Sequence, residues 1–271
     1  MTRTGPSLTD LLDDLRAEHE SLDRVVRALT HDQWHLQTPA SGWDVADTIS
    51  HLCFFDEAAT LAMDDPPEFE RWRDSLVNDM GAGATPDVNL GRDTASEGAL
   101  MERWRASRER FVETATKVGA VPTPPRIAWF GPPMSLASFV TARIMETWAH
   151  GIDVREALGM ALEPDAVSPR LRHVCHLGFG ARAFTFAAHG VEDPGDPVAF
   201  EVGAPDGSVW TWGPQDSDQR ITGTSLDIAL VFTQRRHPSR TGVKASGPTA
   251  ERWLAIAQAF AGPPTIAAED R

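Results

Sequence analysis

The chain has 271 residues, enough for one large domain or two ordinary ones, and at 41% hydrophobic and 24% charged it can bury a sizeable core. A formal charge of −14 excludes the basic footprint a nucleic-acid partner needs and disfavours an anionic membrane surface. No apolar run approaches the roughly 20 residues of a membrane span, and Met1-Thr2-Arg3-Thr4-Gly5-Pro6 lacks the apolar core of a signal peptide, so a cytoplasmic location is expected.

The first 160 residues read as mostly helical. Ser7-Leu8-Thr9-Asp10 has the form of a capping box and opens a periodic run through Leu11, Leu15, His19, Leu22, Val26 and Leu29. Pro39-Ala40-Ser41-Gly42 breaks the chain, and a second helix is predicted from near Asp44 to about Met63. Residues 64–95 are irregular, punctuated by Asp64-Asp65-Pro66-Pro67, Gly81-Ala82-Gly83 and Thr85-Pro86, with a short helix at 69–80. A third helix fits 95–118, where Arg103, Arg105, Arg108 and Arg110 alternate with other residues on a solvated face. Ser135 is a good N-cap for a fourth helix running to about Leu158. Four long helices make a bundle, an architecture that builds metal sites from facing side chains.

After Gly159-Met160 the character changes. A helix is expected over 169–189, strands at 198–202 and 209–212 around the turn Pro205-Asp206-Gly207, a helix at 224–232, a strand at 242–246 and a helix at 248–260. This half is α+β. The expected domains are therefore a helical bundle over 1–160 and a smaller α+β domain over 161–271.

Within that frame the chemistry concentrates in two fragments, Trp43-Asp44-Val45-Ala46-Asp47-Thr48-Ile49-Ser50-His51-Leu52 and Met145-Glu146-Thr147-Trp148-Ala149-His150-Gly151. Glu146 and His150 are spaced to lie one helical turn apart on one face, and His51 comes from another helix. Two imidazoles and a carboxylate are the ligand set of a catalytic zinc site with an open position. The same trio also suits non-haem Fe(II). Neither cysteine belongs to this set: Cys53 points to a different face from His51, and Cys53 and Cys175 form no zinc motif. The His31/His35 and His173/His176 pairs have no carboxylate at convincing spacing and read as surface or packing residues, while His19 faces the bundle interior.

The two fragments, with Gly151-Ile152-Asp153-Val154 following, resemble the DinB-like metal-binding helical bundle of mycothiol-dependent maleylpyruvate isomerases. The C-terminal half, through Leu226, Leu230 and Trp253-Leu254, is similar to the family's smaller α+β domain, which is sterol-carrier-like. The resemblance implies His51, Glu146 and His150 as ligands of a divalent metal, with zinc expected, and mycothiol as a thiol cofactor. It also implies an arginine of the C-terminal domain that binds the anionic substrate. Within Leu230-Val231-Phe232-Thr233-Gln234-Arg235-Arg236-His237 the positional match is Arg235, although Gln234 stands where the family commonly has Gly.

Two neutral imidazoles and one carboxylate leave zinc with a +1 formal charge, suited to lowering the pKa of a bound thiol or water or to polarising a carbonyl. A thiolate adding to an activated double bond, followed by rotation and elimination, gives cis–trans isomerisation; addition or displacement alone gives S-transfer. The partners expected are thus a small organic substrate and a thiol cofactor, with neither nucleic acid nor membrane. Two other readings stay open on the residues alone: a metal-dependent hydrolase or lyase without thiol, and a metal-braced small-molecule-binding protein. Trp148, between the ligands, is a candidate for an aromatic pocket wall.

Overall fold

In the structure, a computed structural model, residues 5–80, 96–162, 166–262 and 264–269 are described. The chain divides into two units, Met1–Leu162 and Glu163–Arg271.

The first unit contains α1 (Leu8–Val26), α2 (His31–Trp34), α3 (Val45–Asp64), α4 (Pro66–Met80), α5 (Glu97–Gly119) and α6 (Leu136–Ala157). The capping box of α1 is formed: the Ser7 hydroxyl accepts from the Asp10 amide at 3.1 Å, and the Asp10 carboxylate accepts from the Ser7 amide at 2.9 Å. The one-turn α2 was hidden from a periodicity argument by its length. The helix expected at 69–80 starts earlier, at Pro66, since proline is tolerated in a first turn whose amides have no intrahelical partner. The expected irregular punctuation at Gly81-Ala82-Gly83 and Thr85-Pro86 lies outside the described residues, as does Ala95.

Helices α1, α6, α3 and α5 close a ring, with α1 beside α6, α6 beside α3, α3 beside α5 and α5 beside α1. Their apolar faces make two core clusters. One includes Leu15, Phe111, Phe139 and Ile144, and the other Leu22, Ile49, Leu52 and Trp104. Charges inside the bundle are paired, as burial requires. Arg143 bonds Asp56 through Nε at 3.0 Å, and Asp23 receives Arg105 and Arg108 at 2.7 Å each. Among the described residues no helix is long and apolar enough to cross a membrane.

The second unit contains α7 (Leu171–Gly180), α8 (Arg182–Ala188), β1 (Val198–Gly203), β2 (Val209–Trp212), β3 (Gln219–Thr224), α9 (Ser225–Phe232), β4 (Lys244–Ser246) and α10 (Pro248–Ala255). The sheet order is β2-β1-β3-β4. β1 pairs antiparallel with β2, parallel with β3 in the register Phe200 to Ile221, and β3 pairs antiparallel with β4. Phe200, Phe232 and Trp253 form the centre of its core, with ring centroids 5.0–5.7 Å apart. A helical bundle followed by an α+β unit is the class the sequence pattern led us to expect.

Three details differ from expectation. The helix expected over 169–189 is two, interrupted at Ala181 just after the weak helix formers Gly178 and Gly180. Gly178 is needed for packing, because a Cβ there would stand 3.0 Å from the Phe232 ring. Strand β3 was not foreseen, since Ile221 is its only large apolar residue. The last helix ends at Ala255 and not near Phe260.

Candidate metal centre

The centre starts from the turn before α3. Thr38 donates its amide to the Trp43 carbonyl at 2.8 Å, the Trp43 amide bonds the Ala40 carbonyl at 3.0 Å, and Gly42 takes φ +80°, where a side chain would be strained. Asp44 then caps α3, its Oδ1 accepting the Asp47 amide at 2.8 Å while the Asp47 carboxylate accepts the Asp44 amide at 3.1 Å. The turn fixes where α3 begins, and so where His51 points.

From α6, Glu146 and His150 project one turn apart. His51, Glu146 and His150 each offer a ligand atom, and these atoms lie within 4.8 Å of one another. The His150 Nε2 to Glu146 Oε2 distance is 3.4 Å, and tetrahedral ligands about 2.0–2.1 Å from a zinc ion stand about 3.4 Å apart. The His51 and His150 rings have centroids 4.6 Å apart. Burial alone would raise the Glu146 carboxyl. The hydrogen bond from His150, with the charges of His150, Arg143 and His51, outweighs it and brings the pKa down to about 2. A carboxylate held ionised beside two imidazoles is a donor set that fits a divalent ion of the zinc class.

Asp153 was within the quoted motif but had no role assigned from sequence. It is fully buried, and its Oδ2 lies 3.3 Å from His150 Nδ1. A carboxylate on Nδ1 keeps the proton there and leaves Nε2 free to act as a ligand. The signal was available, because a carboxylate three residues after a histidine shares its helix face.

Aromatic rings line this centre. Trp43 lies parallel to the His150 ring with centroids 5.9 Å apart, and is 4.8 Å from His51. Phe55, one turn after His51, is 4.6 Å from it and is backed by Trp129 and Phe130 at 6.0 and 5.8 Å. Trp148 is buried at 2% exposure, a core residue. Both cysteines are buried as well. Burial pushes the Cys53 thiol up to about 12 and the Cys175 thiol higher still, so neither ionises near neutral pH.

Among the described residues, the other histidines do not belong to this donor set. His19 is buried edge-on to Trp104, and burial, then the charges of Arg108 and Arg143, drives its pKa far down. His176 accepts from the Trp212 indole at 3.0 Å, a packing contact.

Arg235 belongs to the second unit, just after α9. The helix closes with the Gln234 amide on the Val231 carbonyl at 3.0 Å and the Arg235 amide on the Leu230 carbonyl at 2.7 Å. Gln234 itself adopts φ +59°. This is the left-handed position where glycine is usual, so the local fold accommodates the departure from the family's Gly. Its side chain is tied to Ala257 and Thr265. The Arg235 guanidinium donates to the Thr233 carbonyl at 2.8 Å.

Two uncharacterized proteins from strains of Mycobacterium tuberculosis are each 43% identical over 264 residues, covering 97% of this chain and 98% of theirs. The crystal structure of a mycothiol-dependent maleylpyruvate isomerase aligns with a TM-score of 0.56 at 15% identity, covering 89% of this chain and 93% of that one. A histidine-to-alanine mutant of the mycothiol-dependent enzyme aligns with the same TM-score at 14% identity, covering 90% of this chain and 96% of that one. At such identity these two matches bear on the fold alone. The model of the mycothiol maleylpyruvate isomerase N-terminal domain matches residues 15–155, a span that includes His51, Glu146, His150 and Asp153 and more than half of the chain, and the protein therefore belongs to that family.

Proposed function

We propose that this protein is an enzyme that uses mycothiol, or a closely similar small thiol, to isomerise or S-conjugate a small organic electrophile, with a divalent metal held by His51, Glu146 and His150. The observation that carries the proposal is the convergence of those three donors in a bundle belonging to this family. Zinc is the expected ion for two imidazoles and one carboxylate. When bound, it supplies a positive centre that lowers the pKa of a coordinated thiol.

The chain's own residues account for the rest. Asp153 orients His150, Glu146 stays ionised, and Trp43 and Phe55 present apolar faces that exclude water beside the donors. With both cysteines buried and protonated, the nucleophilic sulfur comes from the cofactor. For isomerisation the bound thiol would supply a nucleophile that adds reversibly to an activated carbon–carbon double bond, the electron pair being taken up by the substrate's conjugated carbonyl until the same sulfur leaves again. We assign Arg235 the substrate carboxylate, a charge-assisted contact.

The test combines metal content with thiol dependence. His51→Ala together with His150→Ala should abolish metal retention at this centre, because Glu146 alone cannot hold the ion. Cobalt-substituted protein should develop a sulfur-to-metal charge-transfer band on adding mycothiol, and turnover of a maleylpyruvate-like electrophile should require the thiol. No such band at saturating mycothiol, with turnover undiminished when thiol is omitted, would replace this reading with a metal-dependent hydrolase or lyase.

A further inference from the structure

We infer that the protein carries a second divalent-metal site, on the outer face of the helical unit, built from His31 at the start of α2, His35 just after that helix and Glu97 at the start of α5. It shares no ligand with the centre above. The three ligand atoms lie within 4.8 Å of one another, although Glu97 is 66 residues beyond His31. That separation is why the histidine pair, read along the chain, has no carboxylate to go with it.

The arrangement is specific. His31 Nδ1 is 2.6 Å from Glu97 Oε1, and His35 Nε2 is 3.7 Å from the same oxygen. The imidazoles come from positions one helical turn apart, with ring centroids 4.9 Å apart. Behind His35, its Nδ1 contacts Asp44 Oδ2 at 3.0 Å. Asp44 is itself held as the cap of α3 through its other oxygen. This is the carboxylate–histidine arrangement that orients a metal-binding imidazole: with the Nδ1 proton directed at Asp44, Nε2 is left on the side of Glu97. Pairing of exposed opposite charges alone contributes little and demands no such orientation.

Two imidazoles select zinc, nickel, cobalt or copper over magnesium or calcium. The His31 and His35 side chains are 74% and 51% exposed, so water completes the coordination and ions enter directly from solvent. An ion here clamps α2 and the cap of α3 to the first turn of α5. Asp44 adjoins Trp43, the ring parallel to His150, so the clamp bears on the turn that lines the inner centre.

The experiment is equilibrium dialysis of the metal-stripped full chain against Zn2+, followed by elemental analysis, for wild type, H31A/H35A, E97Q, D44N and H51A/H150A. Wild type should hold one more zinc per chain than H31A/H35A, and H51A/H150A should keep that outer ion. Asp44→Asn preserves the helix cap, since asparagine caps as well as aspartate. It should weaken the outer ion by about 10–100-fold, leaving the inner one unchanged. Mg2+ should not be taken up by the trio. If the inner centre binds nothing, wild type holds one ion, H31A/H35A none and H51A/H150A still one; the outer site then stands while the proposed catalytic metal falls. Zinc uptake in both H31A/H35A and E97Q equal to that of wild type overturns the inference. So does loss of the outer ion in H51A/H150A with its near-ultraviolet circular dichroism intact.

Discussion

Asp153→Asn should weaken the inner metal without removing a ligand, and the size of the effect can be worked out. Asp153 Oδ2 lies 3.3 Å from His150 Nδ1 in a fully buried position. Loss of an orienting carboxylate typically costs about 10–100-fold in metal affinity. Zinc at roughly 100 times the wild-type Kd stabilises the folded chain by about 2.7 kcal/mol; with Kd raised about 30-fold, the same zinc concentration leaves about 0.9 kcal/mol. At about 2–4 °C per kcal/mol for a domain of this size, some 4–7 °C of the zinc-induced rise in Tm should vanish. Asparagine keeps the shape and can still accept from Nδ1, so the metal-free Tm should move far less. The assay is scanning calorimetry of stripped protein with and without zinc, paired with chelator competition for Kd. Equal zinc-induced rises and equal Kd values for D153N and wild type would refute the orienting role.

If the proposed role of Arg235 is right, Arg235→Ala should raise KM or lower kcat/KM for carboxylate-bearing substrates with metal content unchanged, since it removes a charge-assisted contact and no ligand; unchanged kinetics would refute that role. His19, buried and neutral, has a folded pKa far below the ordinary histidine value. The unfolded chain therefore binds its proton first, and stability should fall by up to about 1.4 kcal/mol per pH unit as pH drops below ~6.5. His19→Gln should flatten that slope, as urea titrations between neutral and mildly acid pH would show; an unaltered slope counts against a buried neutral imidazole. At Gln234, φ +59° penalises any Cβ, so Gln234→Ala loses the side-chain hydrogen bonds and keeps the strain, whereas Gln234→Gly relieves it. The glycine variant should be more stable than the alanine variant by about 1 kcal/mol, and the reverse order in denaturant midpoints would contradict the backbone assignment.

The bundle was legible because its long helices announce themselves by period and caps, from Ser7 and Asp44 to Ser135. The convergence of His51, Glu146 and His150 was legible for a related reason. A turn-spaced Glu146 and His150 need only one helix to be right, and the fragment ending at His51 supplied the third. What sequence reasoning missed depends on contacts between distant segments. β3 is a strand because β1 and β4 flank it, with only Ile221 facing the core. The trio around His31 and His35 is completed only when the fold brings up Glu97. Trp148, a candidate pocket wall whose spacing equally suits core packing, is in the core, and Trp43 from the turn before α3 lies beside His150.

The inner donors all stand on helices, whereas part of the surface around them does not. His51 is on α3 and Glu146, His150 and Asp153 are on α6, while Trp43 comes from the 37–44 turn and Trp129 and Phe130 from the link between α5 and α6. Such a division separates what is costly to alter from what is cheap. Helix register cannot drift by a residue without scattering the donors, but a turn can exchange, lengthen or lose an aromatic ring and leave the bundle intact. A lineage can therefore change the rings around the three donors by rewriting two connections, while the donors keep their register on the helices.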